Sequence, residues 1–169
     1  INNNWRNAYT FINTCNGVID NAPEVPIAEA AKKRMVAEAK FIRANYYFIL
    51  VQFWGDVTLN KNFQAVPSTA ATRSPMSEVY DFIVQDLTEA AADLHQGLIK
   101  DVQPGRATKA AALHVLSKVY LTRAGSSAAK STDYEDAYNT AKDLIDNRAS
   151  SGLDLLPDFG NVYLEGNEN

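Results

Sequence analysis

The sequence predicts an all-α fold made of tetratricopeptide-like helical hairpins with long connecting loops. Apolar residues recur at steps of three and four in five segments, alternating strand patterns are nearly absent, and Gly or Pro punctuates the segment ends. We expect one helical domain over 1–169. Its helices are predicted at about 4–20, 27–54, 75–95, 107–124 and 133–148. Because the chain starts without Met and stops without a closing element, we expect a fragment of a longer chain.

The composition favours an ordinary globular protein. Of the 169 residues, 46% are hydrophobic and 21% are charged, which is enough apolar material for one sizeable core. The net charge of -4 and the lack of a Lys/Arg cluster argue against nucleic acid as a partner. Since Cys15 is the only cysteine, neither an internal disulfide nor a thiolate metal cage can form.

The first two helices carry the strongest periodic patterns. Helix one has Trp5, Tyr9 and Ile12 close to one face. Helix two has an apolar stripe that we expect to face the core, formed by Met35, Ala39, Ile42, Tyr46, Ile49 and Phe53. From Phe41 onward its other faces are apolar as well, so we expect this part of the helix to be covered on most sides. Gly55 then provides a helix-ending signal.

The most apolar stretch of the chain is too short to cross a membrane. It runs from Phe41 to Trp54 and is interrupted by Arg43, Asn45 and Gln52. A transmembrane helix needs roughly 20 apolar residues. The stretch therefore belongs to a protein core.

Arg43 is the one charge deep inside this stretch. A buried guanidinium needs a partner, because an isolated charge is strongly disfavoured in an apolar environment. We expect Asp86, on the neighbouring helix, to be that partner, with Asp56 as the second candidate. The pair is interpreted as a structural ion pair that fixes the register of two helices.

The later helices show predicted caps. Ser74 and Pro75 resemble an N-cap followed by proline at the first helical position. Thr132 and Glu135 have the spacing of a capping box at the start of helix five. The predicted buried side of helix five consists of Tyr134, Ala137, Tyr138, Ala141, Leu144 and Ile145. Loops are expected at 56–73 and 96–106.

A weak internal repeat relates helix three to helix five. At an offset of 57 residues, Val84 aligns with Ala141 and Leu87 with Leu144. The stretches "VYLTRAG" and "DYEDAYNTA" have the small and aromatic residues of a tetratricopeptide hairpin. Two helix pairs are therefore predicted, two with three and four with five, with helix one packed against the first pair.

The sequence offers little support for catalysis. His95 and His114 are the only histidines, and neither has the neighbours of a nucleophile, a base or a zinc site. No phosphate-binding glycine loop is present, so we predict no catalytic residue, no metal and no cofactor. Trp54, Phe63 and Tyr163 lie in or beside loops and are the weak candidates for ligand contact.

Five ordered blocks resemble the SusD-like (RagB/SusD) family. The segment "AEAKFIRANYYFILVQFWGDVTL" is similar to that family's acidic residue, Arg-Ala pair, aromatic cluster and Gly-Asp. "RSPMSEVYDFIVQDLTEAAADL" and "PGRATKAAALHVLSKVYLTRAG" resemble its next helix and its Gly-Arg-x-x-Lys-x-Ala-Ala segment. "WRNAYTFINTCNGVID" and "YEDAYNTAKDLIDNRASSGLDLLPDF" match in the expected order. The resemblance covers nearly the whole chain, and Thr58, where many relatives have proline, is the one departure.

This resemblance implies a function that the residue patterns alone do not give. SusD-like proteins are lipid-anchored on the outer surface of Bacteroidetes, have tetratricopeptide-like superhelices and capture glycans or other nutrients. They work with a TonB-dependent SusC-like transporter and bind rather than cleave. The resemblance thus implies an outer-membrane nutrient-binding protein whose lipid anchor lies outside this fragment.

No ligand-contacting residue can be carried over from the family, because the aromatic contacts of its starch-binding prototype lie outside these five blocks. Two other classes stay open at this stage. One is a tetratricopeptide adaptor that binds peptides in a groove. The other is a glycan-cleaving enzyme, which would release product from oligosaccharides.

Overall fold

The computed structural model describes residues 2–66, 71–97, 101, 103 and 105–163. Within these residues the chain forms five α-helices and no β-strand, so the all-α prediction is confirmed. The helices are α1 (Asn2–Asn21), α2 (Glu29–Trp54), α3 (Met76–Asp93), α4 (Lys109–Ala124) and α5 (Asp133–Asp146). Short 3-10 helices occur at Ala22–Glu24, Arg148–Ser151 and Phe159–Tyr163.

Each helix end lies within about two residues of its predicted position. The two predicted loops also occur, between α2 and α3 and between α3 and α4. Residues 67–70 of the first loop and residues 98–100, 102 and 104 of the second lie outside the described residues.

The helices form a sequential array. Each helix packs against the next one, and α2 also contacts α4. The main core contains fully buried side chains from four helices, among them Ile12, Tyr47, Ile83 and Val119. A second cluster joins α2, α3 and α4 through alanines and one leucine: Ala37, Ala90, Ala91, Leu94 and Ala112. Small side chains at these positions let the helix backbones approach closely.

The predicted apolar stripe of α2 is partly wrong. Ile42 and Ile49 are each 43% exposed and Phe53 is 75% exposed. The buried side of α2 is instead centred on Tyr47 and Val51, because α1 and α3 pack on that side. An apolar pattern around most of a helix does not reveal which face its neighbours cover.

The predicted buried side of α5 is also mostly wrong. Of its members only Ala137 is buried, whereas Tyr134 and Tyr138 are about two-thirds exposed. Among the described helices, α5 packs closely only on α4. Because a single neighbouring helix covers only one narrow side of α5, most of its predicted buried side stays exposed.

The caps of α3 and α5 differ from the predicted ones. Pro75 rather than Ser74 occupies the N-cap of α3, and Asp56 Oδ1 accepts a 2.8 Å hydrogen bond from the Met76 amide. The Thr132 side chain makes no cap hydrogen bond at α5, so the predicted capping box is absent. A carboxylate from a distant loop therefore replaces the local cap of α3, and no spacing pattern reveals such a partner.

Two other helix ends follow ordinary capping rules. Thr108 caps α4, with its hydroxyl accepting a hydrogen bond from the Ala111 amide at 3.2 Å. Gly55 ends α2 with φ of 67°, a conformation that favours glycine, as the sequence predicts. Its amide donates to the Val51 carbonyl. The turn at Gly55 directs the chain into the loop between α2 and α3.

None of the helices in the described part of the chain combines the length and the hydropathy that a membrane span requires.

The cap of α3 gives a testable prediction. Asp56→Ala should lower the free energy of unfolding by about 1 kcal/mol, because the first turn of α3 loses its side-chain acceptor. Ser74→Ala is the matched control and should change stability less, because its side chain does not cap the helix. Urea unfolding measures both values, and a larger loss for Ser74→Ala would contradict this assignment of the cap.

Candidate functional site

The Arg43 side chain joins three helices and one loop. Arg43 is 4% exposed, and its guanidinium donates two 2.8 Å hydrogen bonds to the Asp86 carboxylate, from Nε and Nη2. Nη1 donates to Asn16 Oδ1 at 2.7 Å and to the Lys61 carbonyl at 3.1 Å. The Phe82 ring lies below the charge, 4.7 Å from Cζ to the ring centroid. In this Arg43 network each of the three guanidinium nitrogens donates at least one hydrogen bond, so the buried charge is paired.

Asn16 extends the network from α1 to the loop. It is fully buried, and its amide nitrogen donates to the carbonyls of Asn60 and Asn62, each at 3.0 Å. Its oxygen is the acceptor for Arg43. Asn16 thus links the buried charge on α2 to a loop that comes more than 40 residues after Asn16 in the sequence.

Further side chains of α1 and α2 hold the loop at residues 57–66, which we call the 57–66 loop. Tyr9 donates to the Thr58 carbonyl at 2.8 Å, and the Tyr47 hydroxyl both donates to and accepts from the Asn60 backbone. Asn13 bonds to both backbone groups of Gln64. Asp20 Oδ2 accepts from the Phe63 amide at 2.7 Å.

Every one of these bonds to the 57–66 loop uses a backbone atom of the loop. The helices therefore impose the path of the loop. Val57 and Leu59 pack on the core, whereas residues 61–66 are exposed and can make contacts. A loop held in one conformation loses little entropy when a ligand binds.

The pKa values agree with a buried, hydrogen-bonded interior. Burial raises the pKa of the Tyr9 hydroxyl to about 12 and also raises that of Tyr47. Both phenols therefore remain neutral donors at physiological pH. Burial also raises the pKa of the Asp86 carboxyl, against the lowering effect of the Arg43 hydrogen bonds.

A second buried arginine lies at the junction of α3, α4 and α5. Arg123 is 3% exposed and bonds to the fully buried Asp133 at 2.6 Å and to Asp81 at 2.9 Å. Asp133 Oδ2 also accepts from the Lys130 amide at 2.8 Å. Burial raises the pKa of Asp133, but the Arg123 hydrogen bonds, the Lys130 amide and the two cationic charges together hold it below its ordinary value.

The sequence reasoning identified Arg43 but missed Arg123 and Asn16. A signal for each was available. Arg123 follows Leu116 and Val119 at helical steps, and Asn16 is four residues after Ile12, so both polar residues lie on apolar faces. A polar side chain at a core-facing helix position indicates a buried hydrogen-bond partner.

The structure gives Arg43 its predicted first choice of partner, Asp86, and places Asp56 at the cap of α3. The three aromatic ligand candidates lie in separate surroundings. Trp54 is half-buried against Trp5, with ring centroids 5.1 Å apart.

Phe63 is 44% exposed and rests on Gly17. Tyr163 is 75% exposed and contacts Phe159. Among the described residues, no ring contact joins any two of the three candidates Trp54, Phe63 and Tyr163. They therefore do not form one shared site in this segment.

The two histidines lie on different parts of the fold. His114 is exposed on α4, whereas His95 is partly buried just after α3 and forms a backbone bridge with Thr108. Within the described part of the chain, no group of three or more His, Cys, Asp or Glu side chains could hold a metal ion.

Comparison with known proteins decides the family. Residues 1–121 match the SusD-like family described as "Starch-binding associating with outer membrane". The chain belongs to the SusD-like family. The resemblance in the sequence blocks is thereby confirmed.

Individual relatives are similar to this chain in both sequence and fold. A SusD-like protein of Bacteroides ovatus is 34% identical over 173 aligned residues, which cover 98% of this chain and 30% of the relative. A crystal structure with xylogluco-oligosaccharide has a TM-score of 0.81 and 32% identity, over 95% of this chain and 32% of its own. A laminarin-binding SusD-like protein has a TM-score of 0.73 and 31% identity, over 83% of this chain and 29% of its own. The chain therefore spans about a third of the length of these relatives.

The Arg43 network gives a stability prediction. Asp86→Ala should lower the free energy of unfolding by about 3–5 kcal/mol, because it leaves a buried guanidinium without its carboxylate. Asp146→Ala is the control, since Asp146 pairs with Lys142 at the surface, where such pairs contribute about 0–1 kcal/mol. Denaturant unfolding of both variants provides the comparison, and equal losses would show that the buried pair has no special role.

The Arg123 junction gives a pH prediction. The pKa of Asp133 is lowered by folding, so its ionised form adds stability above the unfolded-state pKa of about 3.9. That contribution disappears as the pH falls through the lower folded-state value. The stability difference between the protein and Asp133→Asn should therefore be larger at pH 7 than near pH 3.

Thermal unfolding across this pH range measures the difference. The exposed Asp154→Asn is the control and should remain close to the unmodified protein throughout. A difference for Asp133→Asn that grows in acid would contradict the assigned direction.

Proposed function

We propose that the full-length protein captures oligosaccharides at the cell surface and delivers them to a SusC-like TonB-dependent transporter. The observation that carries this proposal is the match of residues 1–121 to a starch-binding family associated with the outer membrane. Two structural relatives, one with xylogluco-oligosaccharide and one that binds laminarin, support a glycan as the ligand class.

In this proposal the five helices supply a rigid frame. The Arg43 network and the Arg123 junction fix the relative positions of the five helices, and the side chains of α1 and α2 hold the 57–66 loop. A frame of this kind presents a preformed binding surface, which lowers the entropic cost of capture. The protein binds its ligand without cleaving it, and a lipid anchor elsewhere in the chain keeps it at the outer membrane.

The test uses the full-length protein in affinity electrophoresis through gels that contain laminarin, xyloglucan or starch. We expect at least one polysaccharide to retard the protein, because an immobilised ligand slows any protein that binds it. We also expect the protein, expressed in its own host, to co-purify with a transporter of the SusC-like type.

A reducing-sugar assay on the same mixtures separates binding from hydrolysis. No reducing ends should appear above those from a non-binding control protein such as serum albumin. Release of reducing ends would identify a glycan-cleaving enzyme instead. Failure to bind any glycan, together with binding of peptides, would favour an adaptor that recognises proteins.

A further inference from the structure

The 57–66 loop carries an aromatic side chain at a fixed position. Phe63 is held at its backbone, where the amide donates to Asp20, and at its ring, which lies on the α1 backbone at Gly17. A Cβ added at Gly17 would lie 3.1 Å from Phe63 Cδ2, closer than side chains normally approach. The absence of a side chain at Gly17 thus lets the ring rest on the helix, while 44% of Phe63 stays exposed.

A groove runs along α1 beside this loop, one helical turn before Gly17. It has a volume of about 660 Å³ and combines two aromatic rings with polar side chains. Trp5 and Tyr9 lie at one end with their ring centroids 5.0 Å apart, and Asn13 and Gln64 lie at the other. Phe63 does not line the groove itself, but it directly precedes the lining residue Gln64, and its ring rests on α1 at Gly17. We call the groove, together with Phe63, the α1 groove.

Two polar side chains of the α1 groove, those of Arg6 and Gln64, have no bonding partner among the described residues. Within the described residues, the guanidinium of Arg6 makes no ion pair and the side-chain amide of Gln64 makes no hydrogen bond. Asn13, in contrast, uses its amide to hold Gln64. The groove therefore has a fixed floor and two polar groups that can turn towards a ligand.

We infer that the α1 groove is an oligosaccharide contact surface, with Phe63 as a stacking platform and Arg6 and Gln64 as hydrogen-bonding groups. The inference rests on the proposed function and adds a location to it. A sugar ring has an apolar C–H face that packs on an aromatic ring, and hydroxyls that both donate and accept. The carboxamide of Gln64 can do the same, and the guanidinium of Arg6 supplies several donors.

The surface of this groove exists before the ligand arrives. The loop backbone already has its hydrogen bonds to α1 and α2, so a ligand does not need to order it. Exposed aromatic residues elsewhere lack this combination. Phe53, for example, is 75% exposed on α2, where it contacts Trp54, and it does not belong to the 57–66 loop.

The experiment measures binding of the full-length protein to laminarin and xyloglucan oligosaccharides by isothermal titration calorimetry. With whichever oligosaccharide the unmodified protein binds, Phe63→Ala should weaken the Kd about tenfold, through loss of the stacking surface. Phe63→Trp should restore the Kd to within about threefold, because it retains an aromatic face. Phe53→Ala is the matched control and should leave the Kd unchanged.

A second pair of variants covers the case in which Phe63→Ala fails to fold. Arg6→Ala removes an exposed guanidinium that has no ion-pair partner among the described residues, and it should weaken the Kd severalfold while leaving the circular dichroism spectrum unchanged. Arg34→Ala, an exposed arginine on α2, is its control and should bind normally.

The outcomes separate this inference from the proposed function. Weaker binding by Phe63→Ala and Arg6→Ala, with normal binding by both controls, supports the α1 groove. Unchanged binding by both groove variants overturns the inference and leaves the proposed function intact. If the unmodified protein binds neither these oligosaccharides nor starch, the proposed glycan-binding function fails and the inference fails with it.

Discussion

The fold depends on the need to pair one buried positive charge. Arg43 lies in the most apolar stretch of the chain, and its guanidinium is stable there only because Asp86, Asn16 and the Lys61 carbonyl all reach it. These partners belong to α3, α1 and the 57–66 loop. Satisfying the charge therefore fixes the register of three helices and brings the loop to them. Hydrophobic burial alone, which has no direction, would not select this arrangement.

The parts of the fold that were predictable are those that local patterns encode. The five helices follow from the apolar period, and Asp86 follows from placing Arg43 beside a neighbouring apolar helix. The predictions that were wrong concern features for which the local sequence fits several arrangements equally well. The α2 pattern is apolar on nearly every side, so Ile42 and Phe53 could not be distinguished from the truly buried positions. The cap of α3 comes from Asp56, 20 residues away, which local spacing cannot reveal.

The candidate site was less predictable than the fold, for a related reason. Loop position identified Phe63 as an accessible aromatic residue, but its support comes from Gly17 and Asp20 on a helix more than 40 residues earlier. Predicting such contacts requires knowing which residues of α1 lie beside which residues of the loop, and the sequence pattern does not give that alignment. Trp54 shows the limit of the same rule, because its place beside a loop did not prevent it from packing against Trp5.

The way in which the 57–66 loop is held has a consequence for sequence change. Apart from Val57, Leu59 and the Phe63 ring, which pack on the protein, the loop is held by hydrogen bonds to its amides and carbonyls. The exposed side chains at 61 and 62 can therefore be exchanged without disturbing the path of the chain. Proline is disfavoured at 60, 63 and 64, where the amide must donate. Mutational drift can thus alter what the loop offers to solvent while the scaffold stays the same. A protein built in this way can acquire new preferences at little cost to its stability.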